Sequence, residues 1–166
     1  MTIFYSGGGT LGSVSPLLAV HAEFQKRDAD YRGAWFGLGT PQEQAVLTGR
    51  GFEVHFLPTQ KIRSFESALG LWLLVTFPFR FSYAVWRVLR VIWRVRPDAH
   101  LTAGSFMSAP VAVACFLAGI PTVVHQQDLR PGLANRLMAR IARRVTVTFA
   151  VLAPRFGRKA VVVGNP

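Results

Sequence analysis

Ser6-Gly7-Gly8-Gly9-Thr10-Leu11-Gly12-Ser13 packs four glycines and three hydroxyl side chains into eight residues. Glycines allow a tight turn and a close approach of backbone to a ligand. A helix starting behind such a turn offers unpaired amides and a positive dipole end to an anion such as a diphosphate. Thr10 and Ser13 would add hydroxyl donors, and a plain structural turn is the alternative. The spacing is not that of a P-loop. It can be set against G-x-G-x-x-G, but the carboxylates that should follow about 20 residues on, Asp28 and Asp30, precede the second strand instead of ending it. A dinucleotide site is therefore disfavoured. The second polar constellation is His125-Gln126-Gln127-Asp128. Asp128 could accept a proton, and His125 either orients a ligand or is a hydrogen-bonded structural histidine. His21, His55 and His100 have no metal-ligand companion at useful spacing and read as structural. No metal or cofactor is expected. Cys115, the single cysteine, lies in the apolar run Val111–Ala118 and reads as a buried thiol.

The elements that must hold these residues alternate along the chain. Thr2–Tyr5, Ala34–Phe36, Glu53–Leu57, Ala99–Thr102, Thr122–His125, Val145–Thr148 and Val161–Val163 read as strands. Pro16–Arg27, Pro41–Gly51, Glu66–Val95, Ser108–Ala118 and Pro131–Ala142 read as helices, with prolines near three of their starts, where a missing amide is harmless. The pattern predicts βαβ units in one α/β domain of 166 residues: a parallel sheet with helices on both faces. Ligands of such sheets bind beyond the carboxyl ends of the strands, at the switch point. Both polar constellations fall there.

The net charge of +11 is unevenly placed. Residues 1–59 carry four basic and five acidic side chains, residues 60–96 carry seven basic against Glu66, and residues 130–159 carry eight basic and no acidic one. Leu71, Trp72, Leu74, Phe77 and Phe79 make a nearly continuous apolar stretch, which Pro78 divides and Arg80 interrupts. A spanning helix needs about 20 apolar residues, so this stretch is too short to cross a bilayer. In the helix that follows, Arg87, Arg90 and Arg94 share one face. Val85, Val88, Leu89, Ile92 and Val95 lie largely elsewhere. Aromatics such as Trp86 beside arginines such as Arg80 and Arg87 suit an anionic membrane interface. A buried helix pair with a solvated basic face is the alternative. Neither a nucleic-acid-binding motif nor a cleavable signal peptide is visible, so nucleic acid is not an expected partner.

Several short motifs follow the glycine loop in order: Pro97-Asp98, Gly104-Ser105-Phe106-Met107-Ser108-Ala109-Pro110, Ala118-Gly119-Ile120-Pro121, His125-Gln126-Gln127-Asp128, Pro131-Gly132-Leu133-Ala134-Asn135-Arg136 and Val163-Gly164-Asn165-Pro166. Taken together, the series resembles the N-terminal domain of glycosyltransferase family 28, the family of the bacterial MurG transferases, over essentially the whole chain. The resemblance implies a GT-B fold, in which two Rossmann-like domains face each other across a cleft. The N-terminal domain of the family takes a lipid-linked diphosphate acceptor at the cytoplasmic face of the plasma membrane. The C-terminal domain supplies most of the UDP-GlcNAc site, and the reaction converts lipid I to lipid II with inversion and without metal. By position, Thr10, Leu11 and Gly12 would line the cleft, with Phe106, His125, Gln127 and Asp128 as further substrate contacts. Ser13 stands where the family's G-G-T-G-G-H loop has histidine, Phe106 where tyrosine is common, and Gln126 and Asp128 replace the carboxylate and the amide of H-E-Q-N. Ser13 and Asp128 are thus the candidate catalytic positions, and a serine is no general base without an activating partner. The family's interdomain linker begins at Asn165-Pro166, so this reading expects a donor-binding domain supplied in trans. A split subunit, a fragment, a degenerate product and a non-catalytic lipid- or partner-binding module all fit.

Overall fold

The computed structural model describes residues 1–8, 11–57 and 68–166, without the side chains of Leu11 and of residues 68–75. Thr10, the side chains of Leu11, Leu71, Trp72 and Leu74, and Lys61, Arg63 and Glu66 lie outside the described residues. Seven parallel strands, β1 (Thr2–Ser6), β2 (Arg32–Gly37), β3 (Phe52–Phe56), β4 (Ala99–Thr102), β5 (Thr122–Gln126), β6 (Arg144–Val147) and β7 (Ala160–Val162), form one sheet in the order β3-β2-β1-β4-β5-β6-β7. Successive strands are added on one side of β1 up to β3 and on its other side from β4 onward, and β1 and β4 pair from Ile3 against Ala99 to Ser6 against Thr102. That pair is the switch point.

Alternation along β1 sets the two faces. Ile3 and Tyr5 pack with Trp35 against α1 (Leu11–Arg27) and α2 (Pro41–Leu47). Phe4 packs with Ala34 and Phe36 against α3 (Ala68–Val95) and α4 (Ser108–Leu117). A third cluster joins α4 and α5 (Leu133–Ile141) to Val145 and Val147 of β6. On α1, the buried positions Val14, Leu17, Leu18 and His21 recur at helical spacing. The expected strands are all present with bounds that agree to within two residues, and β4 matches its expected range. The segment after β6 adds a short α6 (Ala153–Phe156) between two 3-10 turns, which the apolar pattern did not mark.

Two proline expectations are corrected. Pro16 does not sit at a helix start: α1 begins at Leu11 and carries Pro16 inside it. Pro78 does not divide its segment either: α3 is one helix of 28 residues running through Pro78, not a pair. Proline is tolerated within a helix where other groups satisfy the freed carbonyl, and for Pro16 the structure shows which group does so. Among the described residues, no helix is long and apolar enough to cross a membrane.

His100 shows how the sheet uses a buried polar side chain. Its Nε2 lies 2.7 Å from Ser6 Oγ and its Nδ1 3.2 Å from Thr122 Oγ1, tying β1, β4 and β5 together. Burial lowers its pKa to about 3. The unfolded chain takes up this proton near pH 6.5, so between about pH 6.5 and 3 the unfolded state binds more protons than the folded one. Stability is full above that window and should fall by about 1.4 kcal/mol per pH unit on acidification through it. Burial also lowers the pKa of His21, His55 and His125, which adds in the same direction. Urea unfolding between neutral and mildly acidic pH should show this slope, and His100→Gln should flatten it. An unchanged slope in the variant would contradict the assignment.

Candidate functional site

The glycine loop leaves β1 at the switch point. Gly8 has φ +152°, a conformation L side chains rarely adopt, and a Cβ there would lie 3.3 Å from Glu43 Oε1. Gly12 is exposed in the first turn of α1. Ser13 is buried, and its hydroxyl donates to the Gly8 carbonyl at 3.4 Å. It faces the loop's own backbone, the position of a loop brace.

Glu43 is a residue the sequence reading did not single out. It is buried, and its Oε1 accepts from Trp35 Nε1 at 2.9 Å. Oε2 accepts from the amides of Leu38 and Gly39, each at 2.9 Å. A Cβ on Gly37 would collide with this carboxylate. Glu43 thus shapes the β2–α2 loop and lies beneath Gly8. The signal was present: Thr40-Pro41-Gln42-Glu43 is a capping-box spacing, and Thr40 Oγ1 does accept from the Glu43 amide at 3.3 Å. Only the side chain turns elsewhere, to the loop. Glu43→Gln puts an amide N–H against one of these donors and is expected to cost about 2 kcal/mol, read by denaturant unfolding followed on tryptophan fluorescence. Wild-type stability in that variant would remove Glu43 from this role.

Across the switch point stands the loop after β5. His125 is buried; its Nδ1 lies 3.0 Å from Thr146 Oγ1 and its Nε2 3.4 Å from Asn165 Oδ1. Desolvation lowers its pKa, only partly offset by the Asn165 contact. Gln126 Nε2 donates to the Asp128 carbonyl at 2.7 Å, while Gln126 Oε1 accepts from Asn135 Nδ2 at 2.6 Å. Gln127 reaches over to α1 and donates to the Gly12 carbonyl at 3.0 Å. Asp128 is exposed on the same loop. Gly104, with φ +87°, completes the edge after β4, because a Cβ there would strike the Asn135 amide. The α1 start and the β5–α5 loop are therefore one connected rim. Asn135 was visible only as part of a motif, and its contacts give it a job, holding Gln126.

Phe106 lies at the same edge, its ring 5.5 Å from Phe77, which also meets Phe81 at 5.6 Å. Phe77 of α3 therefore packs toward the β4–α4 loop. Phe79, Trp86 and Arg87 are exposed, and Arg80 is half-buried. Cys115 is buried, and desolvation pushes its thiol up to about 12. Among the described residues, no three His, Cys, Asp or Glu side chains converge as a metal site.

A parallel sheet of this order, with a glycine turn at its switch point tied to the loop after β5, defines a Rossmann-like α/β domain. The chain belongs to the glycosyltransferase family 28 N-terminal domain family, whose model matches residues 3–147. It is 35% identical over 166 residues to the UDP-N-acetylglucosamine–N-acetylmuramyl-(pentapeptide) pyrophosphoryl-undecaprenol N-acetylglucosamine transferase of Aeromonas hydrophila, covering 99% of this chain and 44% of that protein. The Shewanella amazonensis protein of the same name is 36% identical over 159 residues, covering 96% of this chain and 42% of that one. The chain thus spans less than half the length of these curated relatives. Among solved structures, MurG of Acinetobacter baumannii superposes with a TM-score of 0.79 at 22% identity, over 99% of this chain and 46% of the other. The UDP-GlcNAc 2-epimerase of Neisseria meningitidis bound to UDP-GlcNAc gives 0.70 at 17% identity, over 99% and 47%. At these identities the structural likeness is one of fold.

Proposed function

We propose that the chain is the acceptor-binding, membrane-docking half of a hexosyltransferase that moves GlcNAc from UDP-GlcNAc to undecaprenyl-diphosphate-linked MurNAc-pentapeptide. Its place would be the cytoplasmic face of the bacterial plasma membrane, with a donor-binding domain facing it. The observation that carries this reading is the rim itself. The amides of the α1 N-terminus and the exposed carboxylate of Asp128 lie on elements joined by the Gln127–Gly12 bond. An anionic diphosphate suits the first, and the reacting hydroxyl suits the second. In the step proposed, the acceptor oxygen attacks the anomeric carbon, the bond to UDP breaks, UDP leaves with its electron pair, and the hydroxyl proton passes to Asp128. Buried Ser13 holds the loop through the Gly8 carbonyl.

Membrane docking rests on the outer face of α3 and on the second basic segment. Phe79 is 76%, Trp93 71% and Trp86 47% exposed. Arg90 lies 4.7 Å over the Trp86 ring, and Tyr83 stacks on the same ring at 5.8 Å. Ala84, Val85, Val88 and Ile92 are buried on the opposite face. In the same layer, Arg130, Arg136, Arg140, Arg155 and Lys159 line an open depression of about 820 Å³. Arg143, Arg144, Arg158 and Lys159 line a neighbouring one of about 760 Å³. All eight basic residues of 130–159 thus line two adjoining hollows, with Lys159 Nζ donating to the Ala139 and Arg140 carbonyls, and a surface this basic suits anionic headgroups.

The test is complementation. Mixed with the C-terminal half of a family member, the chain should transfer labelled GlcNAc to a lipid I analogue in vesicles. A second reading, a non-catalytic lipid-binding module, draws on Ser13 in place of the family's histidine. It predicts vesicle binding with no transfer at any concentration of the added half.

A further inference from the structure

In an α-helix the amide of residue 16 would donate to the carbonyl of residue 12. Residue 16 is proline, lying inside α1, and has no proton to give. The Gly12 carbonyl is therefore left open in the first turn of the helix, and Gln127 Nε2 donates to it at 3.0 Å from 115 positions away. The two neighbours of Gln127 are themselves fixed. Asn135 Nδ2 donates to Gln126 Oε1, and Gln126 Nε2 donates to the Asp128 carbonyl.

We infer that Gln127 is a positioning residue, not a substrate ligand: its side-chain amide replaces the helical donor that Pro16 removes. It thereby locks the α1 N-terminus to the loop carrying Asp128. Proline and glutamine form a pair separated by most of the chain. The proline opens a carbonyl at the point where α1 meets the switch point, and the glutamine closes it from the other side. An ordinary residue at 16 would satisfy Gly12 within the helix and leave the two rims without this shared bond. The consequence for diphosphate binding rests on the reading given under Proposed function; the bond itself does not.

The experiment compares Gln127→Ala, Gln127→Glu, Pro16→Ala and Pro16→Ala/Gln127→Ala in the full chain. Glutamate keeps the size and loses the donor, which separates the bond from packing. The first readout is hydrogen exchange of the Leu17 and Leu18 amides, which report opening of the start of α1. Both Gln127 variants should exchange there about three- to tenfold faster than wild type, the range of one neutral hydrogen bond. With Pro16→Ala the helix regains its own donor, so adding Gln127→Ala should change those rates by less than about twofold. The second readout is titration with inorganic pyrophosphate, whose affinity should fall about three- to tenfold in Gln127→Ala. Equal exchange effects of Gln127→Ala in both backgrounds, or no effect in either, would overturn the assignment. So would weaker pyrophosphate binding with unchanged α1 exchange, which would make Gln127 a direct ligand. If the wild-type chain binds no pyrophosphate, the diphosphate reading fails, and the exchange comparison still decides the role of Gln127.

Discussion

Asp128→Asn is expected to lower GlcNAc transfer, measured with the donor half supplied in trans, by about 10²- to 10⁴-fold, the span of general-base contributions. Asp128 is exposed on a loop fixed by the Gln126 and Asn135 hydrogen bonds, so its carboxylate has a defined station at the rim. Asparagine preserves the shape and cannot take the proton. Full activity of Asp128→Asn would remove Asp128 from the chemistry.

The second large effect concerns α3. Replacing Arg87, Arg90 and Arg94 together by Ser should weaken binding to vesicles containing anionic lipid by about 100-fold at low salt, from about 1 kcal/mol for each cation near the surface. All three are exposed, whereas Val88 and Ile92, between them in sequence, are buried. The substitution therefore leaves the α3–sheet contact intact. Vesicle sedimentation with and without anionic lipid measures the change. Binding to neutral vesicles should be little altered, because Phe79, Trp86 and Trp93 remain. Unchanged binding to anionic vesicles would shift the role of that face to solvent.

The alternation of apolar runs with amphipathic stretches was enough to read a parallel α/β sheet, because period-two and helical patterns are local. Phe4 against Ile3 and Tyr5 on β1, and Val88 and Ile92 against Arg87 and Arg90 on α3, separate as their spacing predicts. Pro16 misled for a physical reason: the carbonyl it frees is taken by a side chain far away in sequence, and no local rule sees Gln127 behind it. Pro78 lies inside α3 with no such partner shown among the described residues. Glu43 had a visible capping spacing, but its burial depends on Trp35 and on the amides of Leu38 and Gly39. The short helical turns after β6 carry too few residues for a period to show. Polar residues at the rim were legible as a group. Their division of labour was not, since Gln126 and Gln127 carry the same side chain and differ only in the partners that the fold brings to them.

The most direct test of the central claim is equilibrium binding of a lipid-linked diphosphate acceptor analogue to the full chain, compared with UDP-GlcNAc under the same conditions. An acceptor-side half should bind the analogue saturably and take up UDP-GlcNAc only weakly without a donor domain. Tight binding of UDP-GlcNAc with no saturable binding of the acceptor would contradict the account.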